Sequence, residues 1–286
     1  MTHYPLRRRS LGLALLSSCT VPRWAWAATA APFEIGVLPN LSARTLLAQY
    51  QSMHDYLARA MGRPVQVSTA ANWSTFQQRS VALEYDIVVT AAHLARVAQL
   101  DAGLIPLLSY APDIKGLIAY ASARPLRSVA ELKGQTLVLS NAQSLVTLRG
   151  MQWLAENGLQ PDKDFKTINT PTDDSVGNVV VRGDAVAAML SGGEYRAIPA
   201  AIKPQVQILT AFAEVPGFVV LASPRLPAAE MRAIKNHLSK FAASSDEGKA
   251  FFASTGFTAI VEPAPGLMES MDRYVGATRR LLSPPG

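Results

Sequence analysis

Residues 139–150 read LSNAQSLVTLRG. A strand-like run, Thr136-Leu137-Val138-Leu139, gives way to small polar residues. Apolar residues then return at helical spacing through Leu145, Leu148, Met151 and Leu154. A strand that becomes a helix in this way leaves bare backbone N–H groups above the turn, and with the helix dipole they suit an anion. Ser140, Asn141, Gln143 and Ser144 are therefore ligand-binding candidates, although Ser and Asn also cap helices that bind nothing.

Four other places carry similar chemistry. Asn40, Leu41 and Ser42 follow a strand at 33–38, beyond the carboxyl end where open α/β sheets bind ligands, and Ser42 also reads as an N-cap. Thr90 and His93 follow a strand at 87–89, where a lone histidine serves structure as readily as binding. Asp173 and Asp174 would grip a cation or an amine, or else complement the dipole at a helix start. In Ser191-Gly192-Gly193-Glu194-Tyr195 the glycines let backbone approach a ligand, which brings in Glu194 and Tyr195; a plain strand-to-helix turn is the other reading. Trp73 either stacks on a ligand or fills a core. The chain has no G-x-S-x-G elbow, H-E-x-x-H pair or phosphate loop, so no enzyme and no cofactor are expected.

These residues sit at the ends of a repeating pattern. The strand at 33–38 is followed by a helix with Leu46, Leu47, Tyr50, Met53, Leu57 and Met61 at helical spacing, which Gly62 stops. Strands at 65–67 and 87–89 alternate with helices at 73–83 and 91–100. After a strand at 116–121, Ser128 and Glu131 suggest a capping box, and a second series begins at 136–139. It continues through a strand at 165–168, a helix at 174–182 and strands at 185–190, 206–209 and 218–221. Helices at 227–243, 246–255 and 266–282 close the chain, with no further strand expected. Alternation through short turns argues for an α/β fold with mostly parallel sheets, in two units with crossings near 118–124 and 210–222.

The first 27 residues read as an export signal: Arg7, Arg8 and Arg9, an apolar stretch, Pro22, then Ala25-Trp26-Ala27 as a cleavage site. Arg8-Arg9 also suits twin-arginine (Tat) export, while Leu16-Ser17-Ser18-Cys19 resembles a lipoprotein box that would make Cys19 a lipid anchor. Four of the 27 basic residues and no acid lie in this segment, so the formal charge falls from +6 to +2 without it. No basic cluster remains and nucleic acid is not an expected partner. Cys19 is the single cysteine and the remaining histidines, His54, His93 and His237, are scattered, so no metal site is expected.

Five stretches together resemble the phosphate- and phosphonate-type (PhnD-like) periplasmic solute-binding proteins of ABC transporters. They are FEIGVLPNLSARTLLAQYQSMHDYLARAMGRPVQV, YDIVVTAAHLA, LRSVAELKGQTLVLSNAQS, LAENGLQPDKDF and VPGFVVLASPRLPAAEMRAI. The resemblance implies the type II two-lobe fold with two crossover hinge strands, residues 28–120 plus 218–286 forming one lobe and 121–217 the other. It also implies a periplasmic location, a small-molecule solute held by lobe closure, and a permease in the inner membrane as partner, or alternatively a membrane sensor. A monomer is expected.

In that family the turn matching this one is typically Ser-Thr-Ser-Gly and holds three oxygens of a phosphonate. Here the positions read Ala142, Gln143, Ser144 and Leu145, and Asp173 stands where the family typically has a histidine. An ionised Asp173 beside a buried phosphonate would cost several kcal/mol. The scaffold thus matches while the ligand shell departs, which leaves an oxyanion, another small ligand such as an amine, or a sensory cleft.

Overall fold

The computed structural model describes residues 1–2, 31–170 and 175–283. All but the first two residues of the segment read as an export signal, Cys19 among them, and the candidates Asp173 and Asp174 lie outside the described residues.

The chain opens as β1 (Phe33–Val37), α1 (Ala43–Met61), β2 (Val65–Ser68), α2 (Trp73–Val81), β3 (Ile87–Ala91), α3 (Ala92–Ala102) and β4 (Ile105–Ala111). In α1, Leu46, Tyr50, Met53 and Leu57 are buried while Leu47 is exposed, so the inward face is narrower than the apolar spacing alone suggests. Ser42 caps its start by accepting the Thr45 N–H, and Gly62 ends it in the left-handed region at φ 62°, which only glycine adopts without strain. Burying each such Leu or Met side chain contributes about 2 kcal/mol.

A second series follows: β5 (Ile114–Ala121), β6 (Thr136–Leu139), α4 (Leu145–Glu156), β7 (Lys166–Asn169), α5 (Val176–Arg182), β8 (Ala187–Ser191), α6 (Gly192–Ala197) and β9 (Val206–Val215). The chain then returns as β10 (Phe218–Ala222), α7 (Ala228–Ser244), α8 (Asp246–Thr255), β11 (Ala259–Val261), α9 (Leu267–Ser270) and α10 (Asp272–Leu282). The first sheet has the order β11-β4-β10-β3-β1-β2 and the second β7-β6-β8-β5-β9. Strands β1, β2 and β3 run parallel, as do β6, β7 and β8, whereas β10 and β5 pair antiparallel with their neighbours. Each sheet therefore repeats one plan, second–first–third strand and then a strand entering from the other half of the chain. Helices cover both faces of each. In the first lobe α1, α7 and α8 bury Tyr50, Met53, Ile234, Phe241 and Phe251 on one face, and α2 and α3 bury Phe76, Leu94 and Ala98 on the other.

Several elements differ from the sequence reading. Strand β5 hydrogen-bonds to β8 and β9, so the chain changes sheet at Pro112-Asp113, before this strand, and back at Pro216-Gly217. The unexpected strands β4 and β11 explain the shift: with β4 unrecognised, the first crossing is placed one strand late. At 128–131 there is a 3-10 turn (Val129–Leu132) without a Ser128 side-chain cap, and Glu131 instead accepts the Arg127 N–H. The two crossings pack closely. A Cβ on Gly217 would lie 2.1 Å from the Tyr110 carbonyl oxygen, so only glycine fits.

Candidate functional site

Parallel strands end together, and the helix that follows each one starts at the same level. Here the starts of α1, α3, α4 and α6 all border one cleft of about 900 Å³ between the lobes, through Asn40, Leu41 and Ser42, through Ala91, through Ser144, Leu145 and Val146, and through Ser191 and Gly192. Tyr50, Trp73, Phe218 and Phe257 add aromatic walls, and Ala253–Phe257 closes the side opposite α6.

The α4 turn is internally satisfied. Ser144 Oγ accepts the Thr147 N–H at 3.1 Å and donates to Thr147 Oγ1 at 3.1 Å. Thr147 Oγ1 donates to the Asn141 carbonyl at 2.7 Å, and Asn141 Oδ1 accepts the Gln143 N–H at 2.8 Å. Ser140 Oγ donates to Glu194 Oε2 at 2.9 Å. What the turn still presents to the cleft is the N–H pair of Leu145 and Val146, which first-turn geometry leaves without carbonyl partners.

Gln143 faces the seam between the lobes. Its carbonyl accepts the Nε2–H of His93 at 3.0 Å, and its side-chain Nε2 donates to the Leu281 carbonyl at 2.8 Å and Ser74 Oγ at 3.4 Å. A carbonyl partner fixes the proton of His93 on Nε2, and burial pushes its pKa down to about 4. His93 Nδ1 and Thr90 Oγ1 are buried without hydrogen-bond partners among the described residues. Trp73 donates Nε1–H to the Pro39 carbonyl at 3.1 Å and shares one apolar cluster with Leu139, Leu145 and Val146 of the other lobe.

Of the residues expected from sequence, Asn40, Leu41, Ser144 and Glu194 border the cleft, whereas Thr90, His93, Ser140, Asn141, Gln143 and Tyr195 do not. Tyr195 donates to the Val206 carbonyl at 3.1 Å. Glu194 and Ser191 form the capping box of α6, the Glu194 carboxylate accepting the Ser191 N–H while the Ser191 hydroxyl accepts the Glu194 N–H. Burial raises the Glu194 pKa against the pull of these bonds.

Sequence reasoning missed three cations that border the cleft, Lys115, Arg196 and Lys203. Lys115 lies far from the other two in the chain, and the three form no run. The one local signal was Arg196, two residues past Glu194. Arg196 Nη2 donates to the Thr255 carbonyl across the cleft at 3.1 Å, and Lys203 Nζ donates to the Arg196 carbonyl at 3.2 Å. Asp113 opposes them, but burial and the nearby Glu214 raise its pKa, and its carboxylate takes the Gly217 N–H. Among the described residues that border the cleft, three cations thus stand against two acids, Asp113 and Glu194.

Residues 35–265 match the family model described as the periplasmic substrate-binding protein of a phosphonate ABC transporter. The chain belongs to that family. As a periplasmic substrate-binding protein it binds a small solute for delivery to an ABC permease. Among the described residues no helix is long and apolar enough to cross a membrane. Three solved structures share the fold. PhnD1 of Prochlorococcus marinus in complex with methylphosphonate superposes with a TM-score of 0.76 at 13% identity, covering 85% of this chain and 98% of that one. A binding component of a phosphonate transporter from Pseudomonas aeruginosa gives 0.75 at 15% identity, covering 88% and 89%. A Xanthomonas citri protein bound to ATP gives 0.71 at 19% identity, covering 88% and 98%.

Proposed function

We propose that this substrate-binding protein captures an organic oxyanion of the phosphonate type in the interlobe cleft and hands it to an inner-membrane permease. The observation that carries the reading is the charge of the cleft. Among the described residues, three cations and the N-termini of α1 and α3 border it, against two acids, Asp113 and Glu194. Among the described residues, an amine-bearing ligand would meet three cations, Lys115, Arg196 and Lys203, against two acids, Asp113 and Glu194.

Thermal unfolding of residues 28–286 with phosphate, methylphosphonate, phenylphosphonate, alkylsulfonates, carboxylates and polyamines tests this. A ligand at a hundred times its Kd adds about 2.7 kcal/mol, a shift of several degrees. Stabilisation by oxyanions alone is expected. Stabilisation by the polyamines alone overturns the reading.

A further inference from the structure

We infer that the anion seat of this cleft lies at its α6 end, on Lys115, Arg196 and Lys203, and that the α4 end accepts an apolar or aromatic group against Trp73 and Leu145. The inference rests on the oxyanion reading above and specifies where the anion sits and what it is attached to. The ligand class is an oxyanion carrying a bulky apolar substituent.

The α4 end argues for the apolar half. Every side-chain hydroxyl of its turn is already bonded within the protein, from Ser140 to Glu194, Ser144 to Thr147 and Thr147 to Asn141. The Leu145 and Val146 side chains are buried in one cluster with Trp73 and Leu139. An oxyanion placed there would lose its water against Leu, Val and indole, with two N–H groups as the remaining donors. An apolar group gains from the same contact.

The α6 end argues for the charge. Arg196 and Lys203 are tied to one another through the Arg196 carbonyl, and Lys115 runs alongside Gly192, where a Cβ would lie 3.8 Å from Lys115 Cβ. Among the described residues none of the three pairs with a carboxylate. Of the two acids among the described residues of the lining, Asp113 accepts the Gly217 N–H and Glu194 is held by Ser140 and Ser191. Arg196 gives one N–H to Thr255 on the facing lobe, so the guanidinium spans the cleft with donors to spare. The space between the two ends fits the size argument. A cleft of about 900 Å³ lies in the range of sites that enclose drug-sized molecules, far beyond a bare oxyanion.

The test is calorimetric titration of residues 28–286 with methylphosphonate and phenylphosphonate. Wild type is compared with Lys115→Gln, Arg196→Gln and Leu145→Ala. Lys115 is exposed and among the described residues forms no ion pair, so its variant reports on the seat without disturbing the fold. Phenylphosphonate should bind about tenfold or more tightly than methylphosphonate, and each cation variant should weaken phenylphosphonate by about tenfold. Leu145→Ala should narrow the gap between the two probes. Wild-type affinity in both cation variants, with anions still bound, overturns the seat while leaving the oxyanion reading intact. Equal affinity for the two probes overturns the apolar half. Failure of wild type to bind any anion overturns both readings together.

Discussion

His93 of the first lobe donates its Nε2–H to the Gln143 carbonyl of the second lobe over 3.0 Å. The ring has no exposed surface, its Nδ1 is unpartnered, and the Trp73 ring lies 6.4 Å away. A charge there would be uncompensated, so the folded protein keeps His93 neutral down to a pKa of about 4, against 6.5 for a free histidine. Between these values the unfolded chain binds a proton that the folded protein refuses. Stability should therefore fall as pH drops from 6.5 to 4, by about 3 kcal/mol from this group, and no further below. Urea unfolding at pH 7, 5.5 and 4 measures it. His93→Gln keeps a donor for Gln143 without titrating, and should be less sensitive to acid than wild type over that interval.

Glu194 shows the opposite linkage. Burial raises its pKa, so the folded state holds its proton more firmly than the unfolded chain does. Ionisation at neutral pH then opposes folding, and the cost disappears as pH falls into the usual carboxylate range. Glu194→Gln keeps an oxygen to accept from Ser140 and Ser191. The variant should be at least as stable as wild type at pH 7 and should lose that advantage in acid, as thermal melts at the two pH values would show.

Ser144→Ala removes the cap of α4 and leaves both the Thr147 N–H and hydroxyl short of a partner. The expected loss is about 1 kcal/mol, a fall of a few degrees in Tm. Ser144→Asp restores an acceptor at a helix N-terminus and should recover most of it.

Gly217→Ala forces a methyl into the Tyr110 carbonyl, at the end of β4 just before the other crossing. Relief needs the two crossings to separate, at a cost of about 2 kcal/mol. Calorimetric melting gives the loss, and faster amide exchange in β4 and β10 would locate it.

The βα rhythm was legible because it rests on local chemistry. Leu46, Tyr50, Met53 and Leu57 recur at helical spacing, and Gly62 stops α1 where φ turns positive. The strand β4 was not, since IPLLSYA carries a proline and lacks alternation, and it owes its pairing to β10, which arrives more than a hundred residues later. The cleft was legible by position only. Sequence shows that Asn40, Ser144 and Glu194 end strands or begin helices, but not that Gln143 turns to His93 while Ser144 remains in the cleft. Lys115, Arg196 and Lys203 form no pattern in sequence, because the antiparallel pairing of β5 with β8, within the second sheet, brings Lys115 beside the start of α6.

The Arg196–Thr255 bond joins the lobes across the cleft, so a change in their separation alters it. Cys19 is the chain's single thiol and lies outside the described residues. In residues 28–286 a cysteine introduced at Ser254, beside this bond, would take one environment-sensitive dye and no other. The protein thus offers an optical sensor whose emission follows lobe closure, usable with ligands of unknown identity.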